Sequence, residues 1–504
     1  MLKRIKELKG ASIDSLLLTF MQFVTYATGM VTTKLISTAL SLEDYGTYAS
    51  VNVTITIAAT FTLLGLGDCL NYYYNNNEVC KNEKDRISYV NTIYFAQMII
   101  GIIVSLILFA FRNVISNYFG NVAIAPLLLI VCVKPWFENT IHLFQVLFVS
   151  VGRAKIIAIR NFLLALIRVI IVYISLNIFA NLSLVFILLV MVDIVQIVTF
   201  STFFSKTNFQ VNPLCGDLKK LYFIFSYSIP MGVYFITNSL MRELDKLVVG
   251  KLGTQTQLAI YTNSSKQLPV NLFVTSFATV LVPYIMQYVS EKKGDQAAEL
   301  FKNYMKLGYM TIWMLSGAIL ISAEQIIPFL YSDDYLQGKS VFIVYIIVGM
   351  IQFASMHLIV AANGNSRFLM YLSIAMLGLN IGLNVTLFYV FSAIGYSLIG
   401  PAIATVIVTT LYTIIVLKKS VEILNTRIVS LFDLKELVVY LVQLLVVGMV
   451  MWYFKGMLIH IGLHRYFAMI ITSVVYCGII FMLHLKDYIK ILKIINKCKL
   501  NRKV

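Results

Sequence analysis

The sequence predicts an all-helical, polytopic membrane protein, and three observations support this. Of its 504 residues, 59% are hydrophobic and only 12% are charged, whereas soluble domains are nearer half apolar and a quarter charged. The mean hydropathy is +0.84. Apolar runs of about 20 residues recur along the whole chain, and each is long enough to cross the hydrocarbon as a helix. A transmembrane barrel would need shorter alternating segments instead.

The hydrophobic pattern predicts about fourteen transmembrane helices. They lie near residues 12–36, 46–68, 89–110, 122–149, 157–179, 183–205, 221–241, 257–288, 304–331, 340–363, 368–391, 396–417, 437–459 and 466–485. The chain opens with the basic segment "MLKRIKELKG", and no small-residue cleavage site follows it. We therefore expect the first helix to be retained.

The net charge of +17 is explained by orientation in the membrane rather than by nucleic-acid binding. Alternate connections are basic, among them "GRAKIIAIR" at 152–160, and short basic loops stay in the cytoplasm. These connections, the two termini and Arg367 contain 29 of the 40 lysines and arginines. We expect both termini to be cytoplasmic, with the lysine-rich tail near anionic headgroups of the membrane lipids.

Two stretches of the chain resemble each other. "KLISTALSLEDYGTYASVN" covers residues 34–52, and "KLVVGKLGTQTQLAIYTNS" covers 246–264, at an offset of about 213 residues. An even number of spans lies between them, which predicts a parallel repeat of two six-helix lobes. The expected organisation is an N-terminal lobe at 1–210, a second lobe at 211–420, and two extra helices with a basic tail at 421–504.

Charged residues inside predicted membrane helices are the candidate site, because such residues usually face a polar cavity. The candidate substrate-binding cations are Lys34, Lys134, Arg168, Arg242, Lys246 and Lys266. The candidate coupling or ion-pair carboxylates are Glu138, Asp193 and Asp245. A cavity with more cations than carboxylates suits a phosphate or pyrophosphate group. Two other interpretations stay open: a structural Lys134–Glu138 pair, and snorkelling of Lys34 and Lys246 to the headgroups.

No sequence motif supports catalysis. The chain contains no GxxxxGK[ST], HExxH or GxSxG motif, and its cysteines and histidines have no convincing metal-ligand spacing. We expect a transporter rather than an enzyme, with no catalytic residue, metal or cofactor.

Several segments along the chain are informative when taken together. They are "KLISTALSLEDYGTYASVN", "LLGLGD" (63–68), "YSIPMGVYFI" (227–236), "LDKLVVGKLG" (244–253), "LAIYTNSSKQLPV" (258–270), "VLVPYIMQY" (280–288), "FLYSDDYLQGKSVFIVY" (329–345), "AANGNSRF" (361–368) and "LNIGLNVTLFYVFSAIGYSLIGPAIATVI" (379–407). Together they resemble the polysaccharide transporter family, the Wzx-type repeat-unit flippases of the multidrug/oligosaccharidyl-lipid/polysaccharide superfamily. The segments occur in the family's order over almost all of residues 12–417.

The resemblance implies a bacterial inner-membrane flippase that works by alternating access. Its substrate would be an undecaprenyl-pyrophosphate-linked oligosaccharide used for O antigen of lipopolysaccharide, capsule or exopolysaccharide. A polysaccharide polymerase and a chain-length regulator are the implied protein partners, and no nucleic acid is expected. The family's motifs do not fix individual binding residues, so the candidates above rest on their position in the predicted helices.

Two alternatives remain on the same fold. A lipid II flippase also has about fourteen spans and a cationic chamber. A cation-coupled multidrug or metabolite antiporter would use Glu138, Asp193 or Asp245 to bind its coupling ion. A polymerase is disfavoured because the predicted outer connections are short.

Overall fold

The computed structural model describes residues 21, 23–76, 80, 82–205, 211–266, 268, 272–491 and 493. Within these ranges the regular secondary structure is helical throughout, which confirms the predicted fold class. Residues 12–20 of the first predicted span lie outside the described residues, as do the basic N-terminal segment and most of the tail. The predicted cytoplasmic location of the termini therefore stays a prediction.

Eleven helical segments of the described chain are long and apolar enough to cross a membrane. They are Leu42–Asn75, Glu83–Tyr118, Ile124–Ser150, Lys155–Ile178, Leu182–Ser205, Gly294–Ile321, Asp333–Ile351, Arg367–Ser392, Ile399–Leu424, Leu434–His460 and Arg465–Leu483. The predicted spans at 12–36 and 257–288 include residues outside the described ranges. The predicted span at 221–241 lies in a longer, more polar helix. The protein is a multi-pass membrane protein, and the exact number of fourteen spans stays a prediction.

The chain divides into two compact units, Met1–Ala259 and Ile260–Val504. The helices of the first unit are α1 (23–39), α2 (Leu42–Leu63), α3 (Leu66–Asn75), α4 (Glu83–Tyr118), α5 (Ile124–Val131), α6 (Lys134–Ser150), α7 (Ala154–Val172), α8 (Leu182–Ser205), α9 (Leu218–Leu252) and the start of α10 (Gln255–Ser264). A π-helical turn, Tyr173–Ile178, continues α7. Helices α4 and α6 contact most of the other helices of this unit.

The membrane segment formed by α2 and α3 is interrupted at Leu64 and Gly65. Both residues have left-handed backbones, with φ of 40° and 72°. A Cβ atom at Gly65 would lie 2.6 Å from the carbonyl oxygen of Ser228, because α9 passes directly against the interruption. Glycine is therefore required at 65 both by its backbone conformation and by this close approach.

The helix boundaries follow the offset of the sequence repeat. Helix α1 ends at 39 and α9 ends at Leu252, while α2 begins at Leu42 and α10 begins at Gln255. The two ends are 213 residues apart, and so are the two starts. This agreement supports the proposed repeat, from which the lobe limits 1–210, 211–420 and 421–504 were derived. Those limits stay a prediction.

The second unit is arranged around one long helix. Its helices are the remainder of α10, α11 (Leu272–Ser290), α12 (Gly294–Ile321), α13 (Ala323–Leu330), α14 (Lys339–Ile351), α15 (Leu358–Ala362), α16 (Ser366–Ser392), α17 (Ile399–Leu424), α18 (Ile428–Leu431), α19 (Leu434–His460) and α20 (Arg465–Leu483). Helix α12 contacts α11, α14, α17, α19 and α20. Half of its 28 residues are buried.

Polar contacts connect α12 to α19 and to the segment that follows α20. Near the middle of α12, Lys306 pairs with Asp487 at 2.8 Å and also with Glu436. At the C-terminal end of α12, the ammonium group of Lys455, a residue only 4% exposed, donates to the carbonyl oxygen of Ile321. The last carbonyls of a helix lack intrahelical donors, so a buried cation is stabilising there. Polar contacts thus connect the α19–α20 hairpin to the middle and to the C-terminal end of α12.

A cysteine cross-link tests this attachment. The hydroxyl oxygens of Ser322, just after α12, and Ser473, on α20, are 3.4 Å apart, which is compatible with a disulfide after modest adjustment. We expect Ser322→Cys with Ser473→Cys, in a background free of other cysteines, to cross-link under mild oxidant. After cleavage at a protease site inserted near 426, the two fragments should migrate together until they are reduced. The single-cysteine variants are the controls, and fragments that separate without reductant would contradict the contact.

Candidate functional site

A polar cavity of about 420 Å³ lies in the first unit, between four helices. Its volume is within the usual range of ligand pockets. The lining residues are Thr25, Gly29 and Thr32 of α1; Glu138, Asn139, Ile141, His142 and Gln145 of α6; Arg160, Asn161, Leu164, Ala165 and Arg168 of α7; and Asp193 of α8. We call this set the charged cavity. Three of the predicted site residues, Glu138, Arg168 and Asp193, line it.

A lysine lies behind the two carboxylates of the charged cavity. The Lys134 ammonium is 2.8 Å from Asp193 Oδ2 and 2.9 Å from Glu138 Oε1. Lys134 and Asp193 are each only 5% exposed. A buried charge is tolerated when it is paired, so each carboxylate helps to stabilise the lysine. The Lys134–Glu138 pair follows from their spacing on one helix face, but the contact with α8 could not be read from spacing.

A neutral side chain holds the first arginine of the cavity. Arg160 Nε donates to Gln196 Oε1 at 2.7 Å, and Arg160 Nη2 donates to the same oxygen. Arg160 Nη1 donates to Asn161 Oδ1 at 2.8 Å. Gln196 also donates to Asp193 Oδ1, at 3.4 Å. These hydrogen bonds thus orient Arg160 through amides, which add no negative charge beside it.

The second arginine, Arg168, is exposed to the cavity. Among the residues that the structure describes, it has no hydrogen-bond or ion-pair partner. With Lys134, the two arginines exceed the two carboxylates by one positive charge when His142 is neutral. Guanidinium groups bind phosphate oxygens through paired, directional hydrogen bonds. The charged cavity is therefore suited to an anionic group.

A histidine provides a further polar atom. His142 Nδ1 is buried and has no hydrogen-bond partner among the described residues. A Cβ atom on Gly67 would lie 2.8 Å from His142 Cε1, so the small residue at 67 leaves room for the imidazole. The imidazole lines the charged cavity and so adds a polar group to its wall.

Three predicted site residues lie on the last turns of α9 and do not line the charged cavity. Arg242 is exposed. The Lys246 ammonium is 2.8 Å from Glu243 Oε2, so its charge is compensated locally. Asp245 is 2% exposed, and one of its carboxylate oxygens accepts the backbone N–H of Lys246. The structure places these side chains on one helix but does not join them to the cavity residues.

The two remaining candidate cations are not among the residues that line the charged cavity. Lys34 is half-buried on α1, two residues beyond the cavity-lining Thr32. Lys266 is exposed just after α10, in the second unit. The binding roles proposed for Lys34, Arg242, Lys246 and Lys266 stay predictions.

Sequence reasoning missed Arg160 as a site residue because it was counted with the basic connection at 152–160. The structure places it on α7, two turns before Arg168. Gln196 was missed because an amide carries no charge. The sequence could have indicated Gln196 as a site residue, because it follows Asp193 by three residues and so lies on the same helix face.

The fold is similar to that of solved transporters. The structure of the lipid II flippase MurJ in an inward closed conformation matches with a TM-score of 0.71 and 14% identity, over 94% of this chain and 100% of that one. An inward-facing multidrug resistance MATE family transporter of the MOP superfamily matches with a TM-score of 0.65 and 10% identity, over 80% and 94%. A MOP superfamily transporter from Pyrococcus furiosus matches with a TM-score of 0.58 and 13% identity, over 82% and 94%. At these identities the likeness shows the fold alone.

Sequence comparison adds two curated relatives and a family. The probable multidrug resistance proteins NorM of Streptococcus pneumoniae strains R6 and TIGR4 are each 23% identical over 188 residues, 36% of this chain. The chain spans about two fifths (41%) of the length of these relatives. A family model described as "Polysaccharide biosynthesis protein" matches residues 36–340, more than half of the chain. The chain belongs to this polysaccharide biosynthesis protein family and has the fold of MOP-superfamily transporters.

Proposed function

We propose that this protein is a flippase of the bacterial inner membrane. It would move undecaprenyl-pyrophosphate-linked oligosaccharide repeat units from the cytoplasmic to the outer leaflet by alternating access. The units would be used for O antigen, capsule or exopolysaccharide. The observation that carries the proposal is the charged cavity, a polar, net positive space within membrane-spanning helices of a polysaccharide biosynthesis family member.

The chemistry of such a substrate explains why the cavity would be needed. A sugar-pyrophosphate head cannot enter hydrocarbon unaided, because its charges and hydroxyl groups would lose their hydration. Arg160 and Arg168 can replace water around the pyrophosphate. Neutral groups such as Asn161, His142 and Gln145 can hydrogen-bond sugar hydroxyls.

The carboxylates of the charged cavity favour one alternative, a cation-coupled antiporter of drugs or metabolites. Glu138 and Asp193 line the cavity, and the curated relatives are described as multidrug resistance proteins. Against this alternative, both carboxylates already bind Lys134. A cationic substrate or coupling ion would have to compete with that lysine. Lipid II is the other alternative substrate, and it also carries a pyrophosphate.

Deletion of the gene separates these functions. We expect the deletion strain to lose one surface glycan and to accumulate the lipid-linked repeat unit on the inner face of its membrane. The substrate would then be trapped before its sugars reach the outer enzymes. Glycan staining of whole cells and mass spectrometry of lipid extracts are the measurements, with a plasmid copy of the gene as the control. An unchanged glycan with greater drug sensitivity would favour the antiporter, and accumulation of lipid II would favour the other flippase.

A further inference from the structure

Arg160 of the charged cavity and Lys134 behind it are held in different ways. Lys134 contacts two carboxylates, so its charge is more than balanced by its own partners. Arg160 contacts only amide oxygens, those of Gln196 and Asn161, among the hydrogen bonds of the described residues. Both arrangements restrict the side chain, but only the first one neutralises it.

Gln196 is well placed to hold Arg160 without neutralising its charge. It is 9% exposed, and its amide oxygen receives two hydrogen bonds from Arg160. Its amide nitrogen donates to the Val192 carbonyl oxygen and to Asp193 Oδ1. Both the oxygen and the nitrogen of the side-chain amide are therefore hydrogen-bonded. Because a carboxylate could not donate to Asp193, glutamate at 196 would repel that residue as well as neutralise Arg160.

We propose that Gln196 determines the sign of charge that the cavity accepts. It positions the Arg160 guanidinium without neutralising it and so preserves the excess of one positive charge. This inference rests on the proposed function, because it assumes that a pyrophosphate occupies the cavity. Gln196 is a positioning residue: it acts on the substrate through Arg160 rather than by contact.

Replacement of one side-chain amide by a carboxylate tests the inference. The probes are undecaprenyl pyrophosphate and uncharged undecaprenol, each titrated against purified wild-type protein and Gln196→Glu in the same detergent. We expect the variant to bind the pyrophosphate about tenfold or more weakly, because an added negative charge acts strongly in a poorly solvated site. Binding of undecaprenol should change little, since its chain carries no charge.

A second substitution distinguishes charge from shape. Glu138→Gln in the Gln196→Glu background removes one carboxylate and restores the net charge, so pyrophosphate binding should recover in part. Equal pyrophosphate binding by wild type and Gln196→Glu would overturn the role of Gln196. So would equal losses of both probes, which would indicate general damage to the site. If Gln196→Glu does not accumulate, Arg160→Gln lowers the net charge of the cavity by the same one unit and must show the same selective loss.

Failure of the proposed function has a different signature. Wild-type protein would then bind undecaprenyl pyrophosphate no better than undecaprenol. That result would overturn both the pyrophosphate substrate and the inference drawn from it, whereas a wild-type preference that survives Gln196→Glu overturns the inference alone.

Discussion

Arg168→Glu is expected to abolish transport while the protein still accumulates in the membrane. Arg168 lines the charged cavity and, within the described part of the chain, has no partner that its loss would leave unpaired. A charged hydrogen bond contributes about 1.5–3 kcal/mol, so even Arg168→Gln should weaken pyrophosphate binding by about tenfold or more. Reversal to glutamate adds repulsion. Arg168→Lys should be the mildest change because it keeps the charge.

The measurement is the surface glycan lost on deletion, normalised to protein in the membrane. Lys155→Glu is the matched control. Lys155 is an exposed cation on the same helix, and it does not line the cavity. Normal glycan in cells with Arg168→Glu would rule out a role for this arginine in substrate binding. A similar loss with Lys155→Glu would show that any charge reversal on α7 disturbs the protein.

Lys134→Met is expected to cause the largest loss of stability. The substitution would leave Asp193 and Glu138 without their shared cation, and removal of one partner from a buried ion pair costs about 3–5 kcal/mol. Asp193 should dominate this cost because its side chain is 8% exposed, whereas that of Glu138 is 35% exposed. The expected result is a clearly lower midpoint of thermal unfolding in detergent and less protein in the membrane.

Two further variants separate lost pairing from lost packing. Lys134→Met with Asp193→Asn should recover most of the stability, because an amide tolerates burial without a cation. Glu138→Gln alone should have a small effect, since Lys134 keeps its contact with Asp193. If the double variant is no more stable than Lys134→Met, the lysine stabilises the helices by packing rather than by charge.

Much of the fold could be predicted from the sequence because the mean hydropathy of a segment depends only on the residues of that segment. A run such as Leu182–Ser205 is recognisable without knowledge of its neighbours, since insertion of a helix depends mainly on its own residues. The repeat could also be recognised from the sequence, because it is visible when two short segments are compared directly. The matching segments at 34–52 and 246–264 include helix ends and starts that keep the same offset of 213 residues.

The candidate site could be predicted only in part. Charged residues in membrane helices identified Lys134, Glu138, Arg168 and Asp193 as residues that must avoid lipid. The same criterion also selected Lys246, whose charge the structure compensates with Glu243 three residues earlier on the same helix.

The sequence by itself determined that the chain is a helical membrane protein with buried charges, because both properties follow from the residues of each segment alone. The tertiary structure decided which charges meet. Lys134 and Asp193 are 59 residues apart, and Arg160 and Gln196 are 36 residues apart, on different helices in each case. Contacts at such separations depend on how the helices pack and rotate against one another. Neither hydropathy nor spacing along one helix contains that information.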